Sequence, residues 1–339
     1  MKSLYRPTFC SSALLLAFAI AGNPVVAEDF YAGKTVSFAI ASAVGGGYDT
    51  YGRLVAAHIG RNLAGQPSVV PQNMPGAGGI RAANYLYSVA PKDGLTIGMI
   101  DQAVCLDKIL GKAELTADPA QFNWLGRVAS NNAVLFASST APVKKIEDAF
   151  TQELIVSAPG TSSKLRWTVL KNVVGLNAKV ISAYNGTNDS RLAMQRGEIH
   201  ALSMPWTVLR VQEAQALNDK TINLLMQTGI VKAADLQDVP RMLDLAKNDD
   251  DRLLMALFSS PDTIGRSVLA PPGLPAERVT ELRRAFIATT KDPAFLKDVQ
   301  RLNLDLDPLP GEELQRIVIQ GSQLAPTLVN RARALADIQ

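Results

Sequence analysis

The sequence predicts an α/β protein of two domains, with mainly parallel sheets flanked by helices. Three observations lead there. Short apolar, β-rich runs alternate with helically spaced apolar residues along most of the chain, the rhythm of βαβ units. Four polar loops bearing glycine each follow one of those runs. The chain has 339 residues, which is long for a single hydrophobic core.

The N-terminus reads as a leader rather than as part of the fold. Basic Lys2 and Arg6 precede an apolar run at 13–20, and Val25-Val26-Ala27 supplies a small-residue cleavage pattern, the three parts of a secretory signal. The run is far shorter than the ~20 residues of a spanning helix, and Cys10 lies ahead of it rather than at the cleavage point. The expectation is a signal peptide over residues 1–27, no lipid anchor, and a periplasmic mature chain starting at Glu28. Two of the 34 basic residues fall in that leader, leaving 32 against 31 acidic ones. Such a balance gives no field for nucleic acid or a membrane surface. Of the two cysteines only Cys105 remains, so no internal disulfide is expected.

In the mature chain a strand is expected at 35–41, followed by a glycine loop and a helix whose inner face carries Tyr51, Leu54, Val55, Ile59 and Leu63. A second strand at 68–71 leads through a turn at 75–79 into a helix with Ile80, Ala83, Tyr87 and Ala90 inward, and a third strand follows at 95–100. The pattern returns with strands at 154–157, 179–183, 200–203 and 223–227, separated by helices near 162–175, 188–196 and 206–218. The segment 267–270 is placed to rejoin the first sheet. Pro271-Pro272-Gly273-Leu274-Pro275 then sets up a helix carrying Val279, Leu282, Phe286 and Ile287, and helices fill the rest. The acidic run Asn248-Asp249-Asp250-Asp251 reads as a helix cap rather than a cation site.

The loops carry the functional signal. They are Gly45-Gly46-Gly47-Tyr48-Asp49, Asn73-Met74-Pro75-Gly76-Ala77-Gly78-Gly79, Ala158-Pro159-Gly160-Thr161-Ser162-Ser163 and Tyr184-Asn185-Gly186-Thr187-Asn188-Asp189. Ligands of open α/β sheets bind at this carboxyl edge of the strands. Glycines let backbone N–H groups approach a ligand, and the helix that follows adds unpaired N–H groups and a favourable dipole. Loops of this kind suit an anion. Neither 44–49 nor 73–80 contains a Lys or Arg, although each holds three glycines, so neutral donors are expected to hold the anion there, with Arg53 and Arg81 just outside.

Signals of catalysis are thin. No Walker loop, dinucleotide fingerprint or nucleophile elbow is present, and no His/Cys/Asp cluster has metal-ligand spacing. His58 falls within a helical pattern and His200 at the start of a strand, both structural placements. No catalytic residue, metal or cofactor is expected. An exported carboxylate-processing enzyme and a receptor feeding a sensor kinase are the rival functional readings.

Four blocks in order, Gly45 to Asp49, Gln72-Asn73-Met74-Pro75-Gly76-Ala77-Gly78-Gly79, Ala90-Pro91-Lys92-Asp93-Gly94 and Ala270-Pro271-Pro272-Gly273-Leu274-Pro275, resemble the receptors of tripartite tricarboxylate transporters, the Bug proteins. The likeness spans nearly the whole mature chain. It implies a type II periplasmic-binding-protein fold of the Venus-flytrap kind. Residues 28–130 and 228–339 would form one domain and 131–227 the other, joined by crossing strands around a ligand cleft. The implied activity is capture of a small organic carboxylate and delivery to integral-membrane transporter subunits. By match of motif Gly46, Gly47, Tyr48 and Asp49, with Pro75, Gly76, Ala77, Gly78 and Gly79, line one wall; Thr161, Ser162, Asn185, Gly186 and Asp189 line the other. The chain departs from the family pattern at Val44, where proline is usual, at Asn185, where lysine is usual, and in a longer segment at 238–264.

Overall fold

The computed structural model describes residues 30–45, 47–158, 161–184 and 187–337. The expected leader and the site residues Gly46, Asn185 and Gly186 lie outside the described residues.

The first stretch runs β1 (Thr35–Ile40), α1 (Gly47–Ile59), β2 (Ser68–Asn73), α2 (Ile80–Ser88), β3 (Thr96–Met99), α3 (Val104–Leu110) and β4 (Asn123–Ala129). The α1 stripe Tyr51, Leu54, Val55 and Ile59 is buried, as its spacing requires. On α2 the inner face is wider than the expected stripe: Ala82 and Leu86 are fully buried, while Tyr87 is half-buried, edge-on to Phe122.

The second stretch holds β5 (Ala133–Ser138), β6 (Leu154–Ser157), α4 (Thr161–Val169), β7 (Ala178–Ile181), α5 (Thr187–Gln195), β8 (Ala201–Pro205), α6 (Trp206–Gln212), α7 (Ala214–Asn218) and β9 (Ile222–Gln227). The helix expected at 206–218 is two, broken at Glu213 by a non-helical backbone (φ −111, ψ 22). The chain continues through α8 (Asp249–Ile264), β10 (Arg266–Ala270), α9 (Ala276–Thr289), α10 (Pro293–Arg301), β11 (Leu309–Pro310), α11 (Gly311–Ser322) and α12 (Pro326–Asp337). The acidic run at 248–251 caps α8: the Asn248 side chain accepts from the Asp251 N–H at 2.8 Å, and three aspartates sit in the first turn, where the helix dipole favours negative charge.

Among the described residues eleven strands make two sheets, ordered β11-β4-β10-β3-β1-β2 and β7-β6-β8-β5-β9. Parallel pairing joins β1 to β2 and β3, and β6 to β7 and β8. The remaining pairs are antiparallel, so each sheet is mixed: a parallel half whose loops carry glycine, and an antiparallel half where the chain crosses between sheets. One crossing is β4 to β5 over 130–132; the other runs from β9 to β10.

Asn132 fastens the two crossings to each other. Buried, it donates to Gln227 Oε1 at 2.8 Å and accepts from the N–H groups of Thr228 and Gly229 at 3.1 and 2.7 Å. The segment between β9 and β10 packs on the second sheet: Met242, Leu243, Leu254, Met255 and Phe258 share a buried cluster with Leu135, Val156 and Trp167, joined by Leu335 of α12. The first sheet is sandwiched between a cluster with α1, α9 and α10 and another with α2 and α11.

Both histidines are structural. His58 is buried on α1 with Nε2 2.9 Å from Asp298 Oδ2 on α10 and its ring edge-on to Phe295, and His200 Nδ1 accepts from the Ile155 N–H at 3.1 Å.

Candidate functional site

The glycine loops at the strand ends are built around Asp49 and Asn73. Asp49 is buried, and its carboxylate accepts from the Gly45 N–H at 2.9 Å, Arg53 Nε at 2.8 Å and Asn73 Nδ2 at 2.7 Å. Asn73 also donates to the Ser42 carbonyl at 2.9 Å and accepts from Arg53 at 2.7 Å. One asparagine and one aspartate thus tie the loop after β1 to the loop after β2. Desolvation would raise the Asp49 pKa, but the bonds from Gly45, Asn73 and Arg53 outweigh it and hold the carboxyl below its ordinary value. Asp49, expected on the cleft wall, is committed to the loop itself, and Arg53 with it.

Replacing Asp49 by asparagine should therefore destabilise the protein by roughly 1–3 kcal/mol, since three donors lose a buried charged acceptor. The sign with pH follows from a depressed folded pKa. The gap between wild type and Asp49→Asn is full above the ordinary aspartate pKa of about 4 and closes as pH falls through the lower folded value. Urea midpoints at several pH values measure it; a gap that widens in acid refutes this assignment.

The turn after β2 has an unusual backbone. Gly76, Ala77, Gly78 and Gly79 have φ of 140, 46, 60 and 92, a run of positive values that three glycines accept freely and Ala77 does not. Strain maintained in a loop at the ligand edge of a sheet points toward function. Gly79 has a second reason to be glycine: a Cβ there would lie 2.6 Å from Cβ of Asp101. Pro75 to Gly78 are exposed, and Gly78 has open space around it.

A cleft of about 710 Å3 opens beside these loops, lined by residues that flank both sheets. From the first come Tyr48, Asp101, Gln102, Ala103 and residues of α3; from the second, Leu165 and Arg166 of α4 and Phe258, Pro261 and Asp262 of α8. Arg266 opens β10 at its base. Its guanidinium lies over the Tyr48 ring, 4.1 Å from the centroid, and donates to Gln102 Oε1 at 3.1 Å. A Cβ at Gly47 would come within 3.5 Å of the same guanidinium, so the cation sits beside the N-terminus of α1. The Tyr48 hydroxyl accepts from the Gln102 N–H at 2.8 Å, and burial raises its pKa far above the ordinary phenol value.

Across the cleft Arg166 pairs with Asp262 at 2.9 Å. Asp101 accepts from the Ala103 N–H at 2.8 Å; burial raises its pKa, opposed by that bond and by the charge of Arg266. Among the described residues no group of three His, Cys, Asp or Glu is placed to hold a metal. Cys105 is buried and its thiol pKa is driven up by desolvation, which removes the thiolate that reactive cysteines need.

Of the expected site residues, Tyr48 lines the cleft, while Gly47 and Gly79 back onto its lining residues Arg266 and Asp101. Thr161 and Ser162 open α4, the helix that brings Leu165 and Arg166 to the cleft. Asp189 lies exposed in the first turn of α5, a helix that contributes no lining residue to this cavity among the described residues. Arg166, Arg266 and Asp101 were not foreseen, because none belongs to a local motif.

Two mixed sheets joined by crossing strands, with glycine loops and a polar cleft at their carboxyl edges, are the architecture of a solute-binding protein. The chain belongs to the tripartite tricarboxylate transporter family receptor group, whose family model matches residues 52–331. A solved TctC solute-binding protein from Polaromonas, without ligand, is 17% identical with a TM-score of 0.69, covering 91% of this chain and 100% of that one. A Rhodopseudomonas palustris protein solved with adipate is 19% identical with a TM-score of 0.55, covering 90% and 98%. A UPF0065 protein from the gbd 5′ region of Cupriavidus necator is 24% identical over 304 residues, covering 87% of this chain and 86% of its own.

Proposed function

We propose that this chain is an exported, non-catalytic receptor that captures a small organic carboxylate in the periplasm and hands it to the membrane subunits of a tripartite transporter. The observation that carries the reading is the cleft itself: it takes lining from elements on both sheets and has an arginine and a helix N-terminus at one pole. Family membership agrees with it, and so does the adipate held by a relative.

In this reading residues 1–27 are removed. One lobe is built from 28–130 and part of 228–339 on the first sheet, the other from 131–227 on the second, with α8 and α12 packed against it. The residues 47–49 and 75–79 are assigned to one wall, and the start of α4 to the other. A ligand touching both lobes binds the closed arrangement better and shifts the population toward it. Arg210 on α6 pairs with Asp305 beyond α10, a contact between the two sides that is made in this arrangement.

A thermal-shift screen with organic acids tests the reading, because a ligand selective for the folded state must raise the melting temperature. At least one acid is expected to raise it, and to contract the particle in solution scattering. A chain that no carboxylate stabilises, or that turns an acid over, is not this receptor. Export is checked by intact mass of the periplasmic protein, expected to begin at Glu28.

A further inference from the structure

The charges around the cleft do not suit a polyanion. Arg166 is neutralised by Asp262, with side chains 15% and 6% exposed, and Lys112 is paired with Asp107 at 2.8 Å. Arg333 is exposed at the rim and donates to the Ile109 carbonyl at 3.2 Å. Arg266 differs from the first two. Among the described residues its direct contacts are neutral, the Gln102 side chain and the face of Tyr48, while Asp101 and Asp262 lie near enough to feel its charge. Asp101 stands in the same lining without an ion-pair partner among the described residues, an acid near the place where a ligand anion would go.

The rest of the lining is mixed, with Asn131 polar and the remainder apolar. Leu106, Leu110, Leu165, Phe258 and Pro261 border the same cavity. A buried carboxylate needs a cation or several N–H donors, because leaving water unpaired is costly. To serve a second carboxylate Arg166 would have to give up a buried partner, which strands that partner's charge.

Resting on the receptor reading above, we propose that the ligand is a monocarboxylate with an apolar body. Arg266 takes the carboxylate beside the N-terminus of α1, and Leu106, Leu110, Leu165 and Phe258 take the body. A guanidinium stacked on a tyrosine and held by a glutamine is presented in a fixed orientation, which suits two-point pairing with a carboxylate. A cavity of about 710 Å3 is within the size range of sites for small organic ligands.

The test is calorimetry on the purified chain with octanoate, benzoate, adipate and citrate, and with octanamide as a neutral control. Octanoate or benzoate should bind at least about tenfold tighter than adipate or citrate, which is about 1.4 kcal/mol. Arg266→Met should weaken the monoacid by about tenfold or more and bring it to the level of octanamide, with circular dichroism unchanged. Leu165→Asp should weaken octanoate more than citrate. If adipate or citrate binds as tightly as the monoacids, or if Arg266→Met binds within about threefold of wild type, the proposal is overturned while the receptor reading stands. If wild type binds none of the four acids and no other carboxylate stabilises it, the receptor reading fails and takes the proposal with it.

Discussion

Gly265→Val is expected to lower stability by roughly 2–6 kcal/mol, the sum of backbone strain and overpacking. Gly265 has φ 53 and ψ −132 between α8 and β10, a conformation outside the regions open to side-chain-bearing residues. A Cβ there would lie 2.3 Å from the Ala129 carbonyl oxygen and 2.9 Å from Ser130 Cα. Both obstacles are backbone of the other crossing, so no rotamer change relieves them. Because Arg266 is the next residue, the cleft should distort as well. Gly78→Val is the control, with φ 60 but open space around it, and should lose only about 1–2 kcal/mol. Urea midpoints at unchanged slope measure both, and equal losses would show that the contact with the crossing strand does not matter.

Asp262→Ala should destabilise by roughly 3–5 kcal/mol, because it leaves Arg166 without its carboxylate in a largely dry setting. Asp262 is buried, and desolvation raises its pKa against the opposing influence of Arg166 and Thr228. Its carboxylate also accepts from the Thr228 hydroxyl, and its carbonyl accepts from the Asn131 N–H at 2.9 Å. Adding Arg166→Met should recover much of the loss, since an apolar pair of similar volume tolerates burial. A double variant no more stable than Asp262→Ala would mean that the loss comes from Thr228 and the crossing rather than from the stranded charge.

The sequence carried the strands of the parallel halves and the helices after them, because burial on regular faces leaves a period in the chain. It did not reveal β4 and β5. The stretch from Asn123 to Ser138 lacks the strand, glycine loop and helix sequence that marked the other strands; its halves belong to different sheets, and the switch rests on Asn132 bonding to residues almost a hundred positions away. The loops were legible through their glycines and helix-start geometry. The bonds of Asp49 to Gly45, Arg53 and Asn73 were not legible, because a carboxylate in a polar loop looks the same in sequence whether it faces a ligand or its own backbone. Arg266 and Arg166 were invisible for another reason: their meaning comes from Tyr48, Gln102 and Asp262, which only the fold brings near.

The place of β10 in the first sheet has a consequence for the order of assembly. It lies between β3 and β4, with Leu269 opposite Gly98, whereas every strand of the second sheet falls within 133–227. An emerging chain can pair the whole second sheet while β3 and β4 still show unpaired edges to solvent, the surfaces most prone to wrong pairing. The first sheet closes only when residues 266–270 arrive, across one of the longest loops in the chain, and such closure is slow. Until then the N-terminal half cannot close its own sheet.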